Sequence, residues 1–150
     1  MHVVFDGSGS FNEVGKKFML NYLGNTVENL KLAFEDKVEF VFYTWSNELR
    51  EVESVEKIPA RGVTDVEVLR KFLLGLGAGD AVILITDGDF DGVKKSSFRS
   101  AVNSLGKRFA VIAAGYDAAT VQLQKLSPNF FMAEDMMTAF NFFLSGSEAV

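Results

Sequence analysis

The chain has 150 residues, with 15 Lys and Arg against 20 Asp and Glu, one histidine and no cysteine. Those counts remove zinc centres built from thiolates and imidazoles and any Cys–His nucleophile pair, and they leave a Ser–His pair with only His2, near the start of the numbering and without a visible partner. A net charge of -5 with no basic stripe argues against a nucleic-acid surface, since such surfaces rely on Lys and Arg neutralising phosphates.

Hydrophobic residues make up 48% of the chain and 15 are Phe, enough for a buried core in one domain over residues 1–150. Apolar runs such as Ala81–Ile85 and Phe109–Ala114 are far shorter than the ~20 residues a bilayer helix needs, so no membrane association is expected. A charged segment followed by an apolar one is missing at the amino end, and the cysteine-free composition suits a reducing interior. The expectation is a cytoplasmic protein.

In chain order, His2–Phe5 reads as a strand that runs into Asp6-Gly7-Ser8-Gly9-Ser10. Phe11, Val14, Phe18, Met19, Tyr22 and Leu23 then recur at helical spacing, and Val27–Phe34 reads as a second helix. Val38–Trp45 is β-rich, Ser46-Asn47 forms a turn, and Leu49, Val52 and Val55 among charges suit a solvent-facing hairpin strand. Beyond Pro59, a helix from Val66 to Leu76 starts at Thr64 or Asp65 as cap and stops at Gly77 or Gly79. The rest alternates: strand Ala81–Thr86, loop Asp87–Gly92, helix Ser97–Leu105, strand Phe109–Ala114, helix Ala118–Leu126, short strand Phe130–Met132, helix Met136–Leu144. The pattern predicts an α/β, Rossmann-like three-layer sandwich: a central, mostly parallel sheet with one antiparallel edge strand and helices on both faces.

In open α/β sheets, ligands bind beyond the carboxyl ends of the strands, where the strand order reverses. The loops expected there carry Asp6, Ser8 and Ser10, then Thr64 and Asp65, then Asp87, Asp89 and Asp91. Short carboxylates and hydroxyls are the oxygens that hard divalent cations prefer, and Gly7 and Gly9 let the first loop fold tightly enough to aim its side chains at one point.

Asp6-x-Ser8-x-Ser10 after a first strand, Gly62-Val63-Thr64-Asp65 before a helix, and Ile85-Thr86-Asp87-Gly88 at the end of a central strand together resemble a von Willebrand factor A-type domain with its metal-ion-dependent adhesion site, or MIDAS. The resemblance covers essentially the whole chain. It implies Mg2+, with Mn2+ or Ca2+ as alternatives, held by the Ser8, Ser10 and Thr64 hydroxyls and by Asp6 and Asp87 directly or through water. An open coordination position would take an Asp or Glu carboxylate from a partner protein, with Gly7, Gly9 and Asp89 on the partner-facing side. Neutral hydroxyls leave the cation only partly compensated, which favours one more anionic oxygen. Val63 stands where the family usually has a second glycine. Relatives that work beside AAA+ ATPases or in larger assemblies suggest that class of partner. No catalytic residues are expected.

Each signal has a blander reading. Asp6, Ser8 and Ser10 also suit a helix N-cap, as do Thr64 and Asp65. Asp87-Gly88-Asp89-Phe90-Asp91-Gly92 opens like a calcium loop, but its twelfth position is Phe98 rather than Glu. Gly15-Lys16 lacks the flanking residues of a phosphate loop. Trp45, Phe140, Phe142, Phe143 and Leu144 suit a core better than a partner surface. The main functional alternative is a magnesium-dependent phosphotransfer or phosphodiesterase enzyme, toprim or haloacid-dehalogenase-like, built on Asp6, Asp87 and Asp89. Those families place a Glu or a second Asp where Ser8 stands, as an acid or base beside the metal. Because Asp6 is expected on a surface loop, Asp6→Ala should leave the fold intact.

Overall fold

Among the described residues six short stretches become strands, five of them rich in Val, Ile, Leu, Phe and Trp and the edge strand charged, and amphipathic stretches become helices that cover both faces. The computed structural model describes residues 1–7, 14–53, 63–88, 90, 95–115 and 118–146, with the backbone alone for 14–20 and 145–146. In chain order the elements are β1 (His2–Asp6), α1 (Val14–Phe34), β2 (Val41–Trp45), β3 (Leu49–Val52), α2 (Val66–Leu74), β4 (Val82–Thr86), α3 (Ser96–Leu105), β5 (Phe109–Ala113), α4 (Thr120–Leu126), β6 (Phe130–Met132) and α5 (Met136–Gly146).

The sheet order is β3-β2-β1-β4-β5-β6, and only β3 runs antiparallel. Every residue of β4 and β5 is buried, as a parallel strand covered on both faces requires. Edge strand β3 exposes Arg50 and Glu51. From β1 the chain builds outward through β2 and β3, then returns to the other side of β1 for β4, β5 and β6. The order therefore reverses between β1 and β4, which opens a crevice beyond their carboxyl ends.

Alternate strand residues feed two separate cores. Val3, Phe5, Ile83, Ile85, Ala110 and Ile112 pack with Leu23, Val27 and Leu30 of α1 and with Met136 and Phe140 of α5. Val4, Val82, Leu84, Val111 and Ala113 pack with Leu69 and Leu73 of α2, Phe98 and Val102 of α3, and Leu123 of α4. A fully buried Val, Leu, Ile or Phe contributes roughly 1.5–3 kcal/mol against about 1 for a typical hydrogen bond, so these two layers set the strand order.

Several elements differ from their expected bounds. The two expected helices before Val38 are one: Leu23, Val27 and Leu30 keep a continuous buried stripe across Gly24, which is itself buried. A mid-helix glycine costs about 1 kcal/mol, less than the burial that the stripe contributes. β2 starts at Val41 rather than Val38, because the Val38 N–H still bonds Phe34 O at the end of α1. α2 stops at Gly75, short of Gly77, because residues 77–80 close a turn of their own. In it Gly77 N–H donates to Asp80 Oδ2 at 2.8 Å, and Arg108 Nη1 donates to the carbonyls of Gly77 and Asp80. α4 begins at Thr120 rather than Ala118, since the Ala118 and Ala119 N–H groups bond Gly115 O and Asp87 O ahead of it. In α5, Phe140 and Leu144 are core, but Phe142 is 39% exposed and rests its ring on Phe131 and Phe143. Val55 of the expected hairpin strand lies outside the described residues.

Candidate metal centre

β1 ends at Asp6 between two neighbours. On one side Asp6 is in register with Trp45 of β2; on the other, the pairing of Phe5 with Ile85 brings it beside Thr86 of β4. Thr86 Oγ1 donates to Asp6 Oδ2 at 2.6 Å and accepts the Gly88 N–H at 3.0 Å. With a lone pair taken by Gly88, the hydroxyl proton is directed at the carboxylate. Asp6 and Thr86 are fully buried and Asp87 is 1% exposed. A buried carboxylate is tolerated only with hydrogen bonds or a compensating cation.

The loop after β4 is held from both sides. The Ala119 N–H donates to Asp87 O at 2.7 Å, ahead of α4. Gly88 has φ +78, and a Cβ there would lie 3.0–3.1 Å from Leu123 and Ala119, so the position requires glycine. Phe90 then turns inward, its ring 5.0 Å from that of Trp45 and 6.0 Å from that of Phe98, both edge-on.

The third segment leads into α2. Asp65 is the N-cap, its Oδ1 accepting the Glu67 N–H at 2.9 Å, which leaves the neighbouring Thr64 hydroxyl out of the capping role. The segment is tied to the end of β2: Asp65 N–H donates to Ser46 O at 2.8 Å and Trp45 Nε1–H donates to Asp65 O at 2.9 Å. Thr64 is 6% exposed, whereas Val63 is 74% exposed.

Of the residues singled out from sequence, Asp6, Thr64 and Asp87 are thus buried at the carboxyl end of the sheet, on three segments distant in the chain. Gly7 is buried as well, its N–H donated to Trp45 O at 2.8 Å, so its part is in the backbone and not on an exposed rim. Ser8, Gly9, Ser10, Asp89 and Asp91 lie outside the described residues. The expectation of a surface position for Asp6 is overturned: its side chain is sealed and hydrogen-bonded, and truncation to Ala would leave Thr86 without its acceptor.

The donor chemistry can be tested against a cation. Among the described residues no three His, Cys, Asp or Glu side chains converge. What this end of the sheet offers is two carboxylates and a threonine hydroxyl, an all-oxygen partial set that fits a hard divalent ion completed by further hydroxyls and water. It does not fit a zinc centre of nitrogen and sulfur ligands.

Sequence reasoning missed three contributors: Thr86, Trp45 and Phe90. A hydroxyl residue closing an otherwise apolar strand, and one Phe between two Asp, were the available signals. Trp45 was expected to pack, and it is fully buried. His2, expected to lack a partner, has two at the opposite end of β1: Nε2–H donates to Asp80 Oδ1 at 3.1 Å, and Nδ1 lies 3.1 Å from the Tyr43 hydroxyl.

Neither a family model nor a curated protein matches this chain. Solved structures do. The von Willebrand factor type A protein from Catenulispora acidiphila aligns with a TM-score of 0.61 at 19% identity, over 97% of this chain and 41% of that one. The manganese-loaded TRAP protein of Plasmodium vivax gives a TM-score of 0.72 at 16% identity, over 95% of this chain and 72% of that one. Proximal thread matrix protein 1 of the mussel byssus, in a structure with a zinc-occupied MIDAS motif, gives 0.64 at 16% identity, over 97% and 45%. At these identities the likeness is one of fold: this chain has the von Willebrand factor A-type fold. It spans less than half the length of the Catenulispora and mussel chains.

Proposed function

We propose that this chain, as one domain over residues 1–150, is a metal-dependent protein-interaction module. In this reading Asp6, Ser8, Ser10, Thr64 and Asp87 hold a divalent cation, Mg2+ first and Mn2+ or Ca2+ as alternatives, that coordinates an Asp or Glu carboxylate of a partner protein. The observation that carries it is the burial of two carboxylates, Asp6 and Asp87, at the adjoining ends of β1 and β4 where the strand order reverses. The metal-bearing structures of TRAP and of the mussel protein support a divalent cation on this fold without selecting magnesium.

When bound, the cation supplies a Lewis-acidic point that accepts one more anionic oxygen. The protein's own groups do the rest. Asp6 and Asp87 provide negative charge from buried side chains, and the Thr64 hydroxyl adds a neutral oxygen that leaves the charge incompletely compensated. Thr86 holds the Asp6 carboxylate in place, and Asp65 caps α2 so that Thr64 is not needed there. The module is non-enzymatic in this proposal. An AAA+ ATPase or larger assembly is the proposed class of partner, by analogy of fold, and the proposed location is the cytoplasm.

The test is thermal unfolding of wild type and Asp6→Asn in chelator and then in rising Mg2+. A ligand at a hundredfold its Kd adds about 2.7 kcal/mol, a rise of roughly 5–10 °C for a chain of this size. A rise in wild type alone supports the proposal; no rise with Mg2+, Mn2+ or Ca2+ defeats it. Phosphoester hydrolysis that depends on Mg2+ and vanishes in Asp6→Asn would favour the phosphotransfer alternative instead.

A further inference from the structure

We propose that Trp45 is the positioning residue of this site, the single body that keeps its three ligand-bearing segments in register with one another. The inference rests on the metal reading above. Trp45 is fully buried and touches each segment through a different part of itself. Its carbonyl accepts the Gly7 N–H at 2.8 Å, which fixes the start of the loop after Asp6. Its indole Nε1–H donates to Asp65 O at 2.9 Å, which fixes the Asp65–Val66 peptide, one residue beyond Thr64. Its ring receives the edge of Phe90 at 5.0 Å and 80°, which fixes the loop after Asp87. Phe90 is braced in turn by Phe98 of α3, edge-on at 6.0 Å.

These segments come from residues 6–7, 64–65 and 87–90, so nothing local in the chain sets their mutual distance. A small divalent cation tolerates little error in the spacing of its oxygens, and ligands stay in place only when their supports are themselves locked. A rigid, buried indole with one donor and one flat face meets that need. Phe in its place would keep the ring contact but lose the bond to Asp65 O. Leu at position 90 would keep apolar bulk but lose the edge contact on the indole. Supports one step removed from a metal ligand typically change affinity by about 10–100-fold when lost.

Trp45 is the only tryptophan in the chain, so its emission reports on the site directly. The experiment is calorimetric titration with Mg2+, far below the unfolding temperature, of wild type, Trp45→Phe, Phe90→Leu and Ile112→Val, alongside indole emission of wild type. Ile112 lies in the core on the opposite face and controls for stability alone. The expected result is a saturable emission change in wild type with the calorimetric Kd, and a Kd raised on the order of tenfold in Trp45→Phe and Phe90→Leu but unchanged in Ile112→Val. If Trp45→Phe does not fold, Phe90→Leu against Ile112→Val makes the same comparison. Wild-type Kd in the Trp45 and Phe90 variants overturns this inference while leaving the metal site standing. If wild type binds Mn2+ or Ca2+ but not Mg2+, the same comparison is made with that ion; failure to bind any of the three removes both.

Discussion

The Thr86 hydroxyl reaches across 80 residues of sequence to donate to Asp6 Oδ2 at 2.6 Å, with both side chains closed to solvent. This bond joins the ends of β1 and β4 and supplies a charge-assisted partner to a carboxylate that water cannot reach. Thr86→Val keeps volume and strand propensity but removes the donor. Its cost in metal-free buffer is expected at about 1.5–3 kcal/mol, read as a lower urea midpoint with an unchanged slope. A midpoint equal to that of wild type would show that the bond contributes nothing net.

Asp65 caps α2, and the proposed site makes its neighbour Thr64 a ligand. Asp65→Ala should cost roughly 1 kcal/mol in chelator through loss of the bond to Glu67 N–H, yet keep the rise in Tm with Mg2+. Thr64→Val should do the reverse, staying within about 1 kcal/mol of wild type in chelator while losing most of the metal response. Melting curves of the two variants with and without Mg2+ decide it; a full metal response in Thr64→Val would remove that hydroxyl from the ligand set.

Gly88→Ala combines a positive φ with a Cβ 3.0–3.1 Å from Leu123 and Ala119. The left-handed backbone costs about 1–2 kcal/mol and the overpacking about 1–3 more, so destabilisation of roughly 2–4 kcal/mol is expected by chemical denaturation. A loss below about 1 kcal/mol would mean that the loop relaxes away from α4.

At the other end of the sheet, the Asp80 carboxyl is held below its ordinary pKa, first by the Gly77 N–H and then by the His2 ring. A depressed folded-state pKa gives stability that is present above the unfolded value, about 3.9, and lost as pH falls through the lower folded one. Asp80→Asn should therefore trail wild type at neutral pH by less than about 1 kcal/mol, given the exposure of this carboxyl, and the gap should close below about pH 4. Urea midpoints at pH 7 and pH 3 test the sign; a gap that widens toward pH 3 would contradict it.

Much of the fold was legible because secondary structure follows short-range periods. Val82–Ile85 and Phe109–Ala113 read as strands because every residue is apolar, and α3 read as a helix because Phe98, Ala101, Val102 and Leu105 recur at its turn length. Errors fell where a local signal was outweighed by packing or by a side chain from elsewhere. Gly24 did not stop α1 because its stripe continued, and α2 stopped early because Asp80 and Arg108 close the turn after it.

Sequence alone determined the alternation of strands and helices, the oxygen-only chemistry of the loops that carry Asp6, Thr64 and Asp87, and the exclusion of thiolate and imidazole centres. Only the tertiary structure decided that Asp6 and Asp87 are sealed from water, that Thr86 serves Asp6, that Trp45 touches all three segments, and that His2 pairs with Asp80. The reason is one of range. Periodicity is a property of neighbours three or four residues apart, whereas the contacts of residue 6 with 86 and of residue 45 with 65 and 90 depend on strand order, which is set by burying both faces of the sheet at once.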